Sequence, residues 1–242
     1  AEEGSGGGDV SGKTEGPGTD AGGELFRVIR AENGAPLLLA KEDGGPAGVY
    51  TLSPADAEAA PKGESAAAKN GVYTGVCIPV YAPGMLLEIT YGSVLETYPA
   101  KFGHVTGVTV LEEPADDRCG LYLQVLSDLW EVDTALNTGL EELGVDLSGL
   151  TDLAESEKSA LAWVFGNAHG LMPITGTLEE IWEAGYLTPM TEPAEGYEDS
   201  VALYRWENGC LFSLSGSAEE GFEAQKWASG LGAYFFTDCT AR

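Results

Sequence analysis

The spacing of apolar positions changes about halfway along the chain. Up to residue 112 they come in short runs: Leu25–Ile29, Pro36–Ala40, Val49–Leu52, Leu86–Tyr91 and Val105–Leu111. Asn33-Gly34, Asp43-Gly44 and Gly92-Ser93 punctuate them. Short β-rich runs between such turns predict strands, and five or six of them in about 90 residues predict a small closed barrel. Pro99 has no N–H to give a ladder, so it belongs at an edge or a strand end. Gly107, inside the last run, predicts a bulge or a bend. Residues 54–70 are Ala-rich and polar and predict a short helix or loop. Val72–Tyr81 then predicts a return to the barrel.

Glu112–Arg118 is polar, contains Pro114 and predicts a domain boundary. Beyond it the period becomes helical. Tyr122, Val125, Leu126, Leu129, Val132 and Leu136 share one face of a helix that ends near Asn137–Gly139. Leu140–Leu150 reads as a link. Ser156–Ala168 predicts a second helix, with His169 as a cation at its C-terminal dipole and Gly170 as its stop. Thr177 and Glu180 form a capping box for a third, 178–184. Two hairpins then follow, Val201–Trp206 with Cys210–Leu214 and Phe222–Trp227 with Leu231–Cys239. The expected layout is a tether at 1–24, an all-β barrel at 25–113 and an α+β domain at 119–242. In that second domain the helices pack on a four-stranded antiparallel sheet.

The run GMLLEITYGSVLETYPA resembles the second half of an OB-like domain found in uncharacterised secreted proteins and lipoproteins of Gram-positive bacteria. Gly84, Ile89, Tyr91, Glu96, Tyr98, Pro99 and Ala100 carry the likeness. Gly92-Ser93 replaces the usual polar-Gly turn. The resemblance spans about residues 25–113. It implies an OB-like fold and a place at the cell surface, and it brings over no catalytic residue. The final run AQKWASGLGAYFFTDCTA is similar, more loosely, to modules that follow such barrels.

Charge narrows the choice of partner. With 39 acidic and 12 basic residues the formal net charge is −27. Phosphate backbones need Lys and Arg to displace counterions, so nucleic acid is excluded as a partner, and anionic membrane surfaces are repelled. An apolar share of 43% suits a cored globular protein. No run approaches the ~20 apolar residues of a membrane span. Residues 1–24 are Gly, Ser and acid, and read as a flexible tether. The start at Ala1 reads as a mature or trimmed chain. By the resemblance, a lipid-modified Cys would lie upstream of Ala1.

Candidate chemistry is sparse. Cys77, Cys119, Cys210 and Cys239 have no zinc-type spacing and read as separate, mostly buried thiols. His104 reads as a turn residue. A Cys119–His104 dyad across the domain junction is conceivable, but no nucleophile signature surrounds it. Asp128 and Glu131 read as a solvated helix face. Asp146, Ser148, Asp152 and Glu157 match positions of a calcium loop, yet the required Gly is Thr151. Trp130, Trp163 and Trp182 read as helix packing. Trp206 and Trp227 fall beside hairpin turns with Tyr204 and Arg205 close by, a grouping typical of binding hot spots. The expectation is therefore a non-catalytic, surface-attached binding protein for an extracellular protein or glycan, with Tyr204, Arg205, Trp206 and Trp227 as candidate contacts and no cofactor or metal. The rival expectation is an extracellular hydrolase with its site at the domain junction. A third is a structural module at the envelope.

Overall fold

Strand β2 (Leu37–Lys41) shows why the chain folds as it does. Its LLLA run does not alternate, because both of its faces are buried. Leu37 and Leu39 enter one core, and Leu38 and Ala40 enter another. The computed structural model describes residues 23–32, 35–59, 81–112, 117–190 and 203–241. The expected tether up to residue 22, the return over 72–80 and Cys77 lie outside the described residues.

The first sheet joins β1 (Glu24–Arg30), β2, β3 (Val49–Leu52), β4 (Leu86–Tyr91), β5 (Val94–Leu95), β6 (Ala100–Phe102) and β7 (Val105–Glu112). Its order is β5-β6-β3-β2-β1-β4-β7. The sheet is mixed, because β3 and β6 run parallel. Strands β6 and β7 follow each other in the chain, yet one pairs with β3 and the other with β4. The sheet therefore curls into a half-barrel and not the small closed barrel expected, because its end strands β5 and β7 do not pair among the described residues. Phe26, Leu39, Leu52, Leu87 and Ile89 fill its hollow. Pro99 stands just before β6, at a strand end. The ladder between β4 and β7 shifts register beside Gly107, where a bulge was expected. A short helix, α1 (Pro54–Ala59), follows β3.

The second part contains α2 (Arg118–Glu131), β8 (Glu142–Leu150), α3 (Glu155–Ala168), β9 (Pro173–Thr175), α4 (Leu178–Glu183) and β10 (Thr188–Pro189). It ends with β11 (Tyr204–Arg205), β12 (Gly209–Ser217), β13 (Gly221–Ser229) and β14 (Gly232–Cys239). The expected α+β domain on a four-stranded antiparallel sheet is overturned. The described residues are mostly β, in two mixed sheets of seven strands each. Leu140–Leu150 is no link: Leu143, Val145 and Leu147 alternate with small and polar residues to form β8, parallel to β12 and β9. The hairpin across Asn208-Gly209 is also absent. β11 and β12 both lie against β13, through Arg205–Ser229 and Leu211–Trp227 pairs. The hairpin of β13 and β14 forms as expected.

Helix α3 is buried on nearly every side, as a helix between two sheets must be. Leu161, Val164 and Phe165 belong to a core that runs on into Ile29, Leu38, Ala40 and Val49 of the first sheet. One core around α3 thus spans both halves, where each half was expected to be cored on its own, and the first sheet keeps a further core in its hollow. Polar contacts fix the seam. Ser156 N–H donates to Gly44 O at 3.1 Å, and Ser156 Oγ donates to Lys41 O at 2.7 Å. A Cβ on Gly44 or Gly48 would crowd Ser156.

Candidate functional site

The second sheet has two unlike faces. Residues facing α2 and α3 are apolar: Leu143, Val145, Cys210, Phe212, Leu214 and Ala224. Lys226 lies among them and is fully buried. Its Nζ donates to the carbonyls of Leu129, Trp130, Val132 and Asp133 at 2.8–3.5 Å, and sits 5.6 Å from the Phe212 ring centre. A cation there meets the C-terminal carbonyls of α2, which have no partner within the helix. Burial pushes the Lys226 pKa below its ordinary value. This lysine closes a helix end; the carbonyl ring around it leaves it no substrate to meet.

The opposite face is divided. At one end, Trp206, Trp227, Leu211, Ile181 and Leu187 make a small third core. Trp206 lies on the backbones of Gly144 and Gly209, where a Cβ would come within 2.7 Å and 2.0 Å of its ring, and its indole N–H donates to the Glu142 carboxylate. The structure does bring the four expected contact residues together. Trp206 and Trp227 are only 3% and 6% exposed, so their rings serve packing. Tyr204 is half-buried against Trp182. Arg205 is exposed and pairs with Glu207.

At the other end the face is open. The ladder aligns Asp146, Ser213, Gln225 and Phe235 in one row across β8, β12, β13 and β14. Ser215 and Glu223 pair in the next row. A hollow of about 280 Å³ lies over these residues. It shares Ser215 and Glu223 with a second hollow of about 390 Å³ that reaches Glu220 and Asp238. Phe235 is 57% exposed at the margin. Hydroxyls, an amide, carboxylates and one phenyl face thus converge on a concave strip. Sequence reasoning missed this strip. The signal was small, the Ser213 and Ser215 hydroxyls alternating with Phe212 and Leu214, and only the strand order sets Asp146 beside Ser213.

The junction shows different chemistry. Arg27 on β1 faces Glu42 at 3.4 Å, Glu112 at 3.8 Å and Glu157 at 3.8 Å. Burial pushes the Glu157 pKa up, against the Ala154 N–H and Arg27, which pull it down. Cys119 is buried beside this cluster, and its burial pushes the thiol well above its ordinary value, the reverse of what a nucleophile needs. His104 lies against Gly92, on the turn after β4. His169 stacks on Trp130 at 3.6 Å, and burial pushes its pKa down, which disfavours the cation expected at this helix end. Cys119, Cys210 and Cys239 are free thiols.

The calcium template also comes apart. Asp146 accepts from Ser148 on β8, Asp152 accepts from Tyr122 Oη and Ala218 N–H, and Glu157 faces Arg27. Among the described residues no group of three His, Cys, Asp or Glu is placed to hold a metal. Among the same residues no helix is long and apolar enough to cross a membrane. Comparison with protein-family models, with curated proteins and with solved structures finds no match for the chain. The expected OB-like domain of secreted proteins is thus not identified by likeness.

Proposed function

We propose that this chain is a non-catalytic binding protein whose partner docks on the open end of the second sheet. The observation behind this reading is the row Asp146–Ser213–Gln225–Phe235, polar groups and a phenyl face held on rigid strands above a hollow. Concave strips with a few convergent polar groups and an aromatic margin suit recognition, and placing them on strands gives them fixed geometry. Such a strip fits a protein segment or a glycan. The acidic balance of the chain turns both nucleic acid and anionic lipid surfaces away. A position outside the cell, tethered through the residues ahead of β1, belongs to the same proposal; its support is the composition of residues 1–22 and the resemblance over 84–100.

The test immobilises the full chain and measures binding to panels of capped peptides and of neutral, basic and acidic oligosaccharides. One class should bind, and Phe235→Ser should weaken it at least about tenfold, the scale of one lost contact of about 1.4 kcal/mol. Turnover of ester, peptide or glycoside substrates that survives Phe235→Ser would overturn the reading.

A further inference from the structure

We infer that the free edge of β14 accepts an extended polypeptide segment as an added strand, its lysine or arginine side chains lying over Glu220, Glu223 and Asp238. The inference rests on the binding reading above and names the partner class.

Among the described residues, strand β14 pairs only with β13. Along its other edge, among the described residues, no strand takes up its backbone N–H and C=O groups. Such an edge is a template for another chain, and proteins usually blunt it by shortness, Lys or Pro. Three of the strands that end a sheet here are short: β5 and β10 have two residues each and β9 has three. Pro189 further blunts β10. β14 is eight residues long and has neither Lys nor Pro; its ladder with β13 shifts near both ends, at Gly232 and about Asp238 (φ 54°), and leaves Ala233–Phe236 as the regular edge. It exposes Tyr234 and Phe235, and Leu231 at its hairpin turn is 92% exposed. β7 is equally long, but both hollows border β14 and not β7.

The chemistry beside the edge selects the occupant. Glu220, Glu223, Asp238 and Asp146 line the two hollows, and no Lys, Arg or His lines either. A strand laid along β14 would satisfy the backbone groups and place alternate side chains on the hollow's face. Basic side chains there meet carboxylates at a rim, which favours encounter and sets specificity. A second copy would have to bring the same carboxylates together about a two-fold axis, at a formal charge of −27 per chain. A glycan would use the hollow but leave the strand edge unpaired. The observations therefore favour a basic, extended polypeptide.

The experiment titrates the full chain with a short capped peptide alternating Lys and Val. Parallel titrations use a Glu-for-Lys version and two versions N-methylated on one or the other alternate set of amides. The Lys peptide should bind, weaken with added salt, and lose at least about tenfold when one methylated set removes the N–H groups facing β14, while the other set is tolerated. Phe235→Lys, a charge on an exposed edge position, should weaken it by a similar factor. Glu223→Gln with Asp238→Asn should weaken the Lys peptide and spare a neutral one. Equal binding of the Glu peptide, or indifference to both methylated sets, overturns the inference. So does self-association by light scattering that Phe235→Lys abolishes. Oligosaccharide binding lost in Phe235→Ser, with no peptide bound, overturns this inference and leaves the binding reading standing. Failure of both panels removes both.

Discussion

Strands β12 and β13 present two faces built from adjacent residues, and the two do different work. Phe212 looks toward α2 and α3, and its neighbour Ser213 looks toward the open hollow. Lys226 is enclosed by carbonyls, and its neighbour Gln225 is in the exposed row. The covered face holds the aromatic stack of Trp130, Phe165 and Phe212, with ring centres 5.1–6.1 Å apart. The open face holds hydroxyls, an amide and carboxylates at the same two-residue repeat. Burial concentrates folding energy on one face, which leaves the other free to be shaped for recognition.

The sharpest way to break this contrast is Phe212→Ala. It opens a cavity in the stack and should cost about 3–5 kcal/mol. The urea midpoint should fall with the slope of the transition unchanged. Next comes Lys226→Met. The substitution removes the donor shared by these carbonyls; Asn137 Nδ2 still reaches Trp130 O and the Leu136 N–H still reaches Asp133 O, and leaving the Leu129 and Val132 carbonyls unmet should cost about 1–3 kcal/mol by the same measurement. A chain indifferent to Lys226→Met would mean that water already serves those carbonyls.

The covered side continues through α3 to the seam, where pH supplies a finer probe. Burial holds the Glu157 pKa above its ordinary value. The folded chain therefore binds the proton more tightly than the unfolded chain does. Stability from this group is present at low pH and falls as pH rises from about 4.3 through the raised folded value. Glu157→Gln keeps an acceptor for the Ala154 N–H, and Arg27 retains Glu42 and Glu112. Gln stands in for the protonated acid, so the variant should match the parent near pH 4, flatten that slope and be the more stable chain at neutral pH. Urea midpoints of both chains across pH 4 to 7 check it; parallel profiles would show that Glu157 does not titrate in that window.

Local pattern foretold much of the first half and less of the second. The alternation of Leu86–Tyr91, the stop at Gly92 and the break at Pro99 each reported a single strand's own geometry. Thr177 and Glu180 form their capping box because its atoms lie three residues apart. What local pattern could not report was sheet order. Leu143, Val145 and Leu147 alternate clearly, yet the Gly and Asp between them let β8 pass for a link. Its partner β12 lies about 65 residues away, at Gly209–Ser217, and no local signal names it. The unalternating LLLA run of β2 was a sign of burial on both faces, and so of a shared core, that goes unseen when each half is taken alone. The expected cluster of Tyr204, Arg205, Trp206 and Trp227 does assemble, but Gly144 and Gly209 give Trp206 a buried seat that spacing alone does not reveal. The open row was illegible because no member stands out in its own strand until four strands align them.

The smallest expected effect tests the contrast most directly. Ser213 is one bond sequence away from Phe212 and on the same rigid strand. Ser213→Val adds a β-branched side chain on an open pleated face, where strand preference favours it. Stability should stay within about 0.5 kcal/mol of the parent, a fraction of what the adjacent Phe212→Ala costs. Recognition should respond instead, because the new methyl groups replace a hydroxyl between Asp146 and Gln225 and narrow the hollow. A loss of stability comparable to that of Phe212→Ala would mean that the outer row is already covered in the folded chain. The division between a face that holds the fold and a face that meets a partner would then be wrong at its centre, whichever ligand had been proposed.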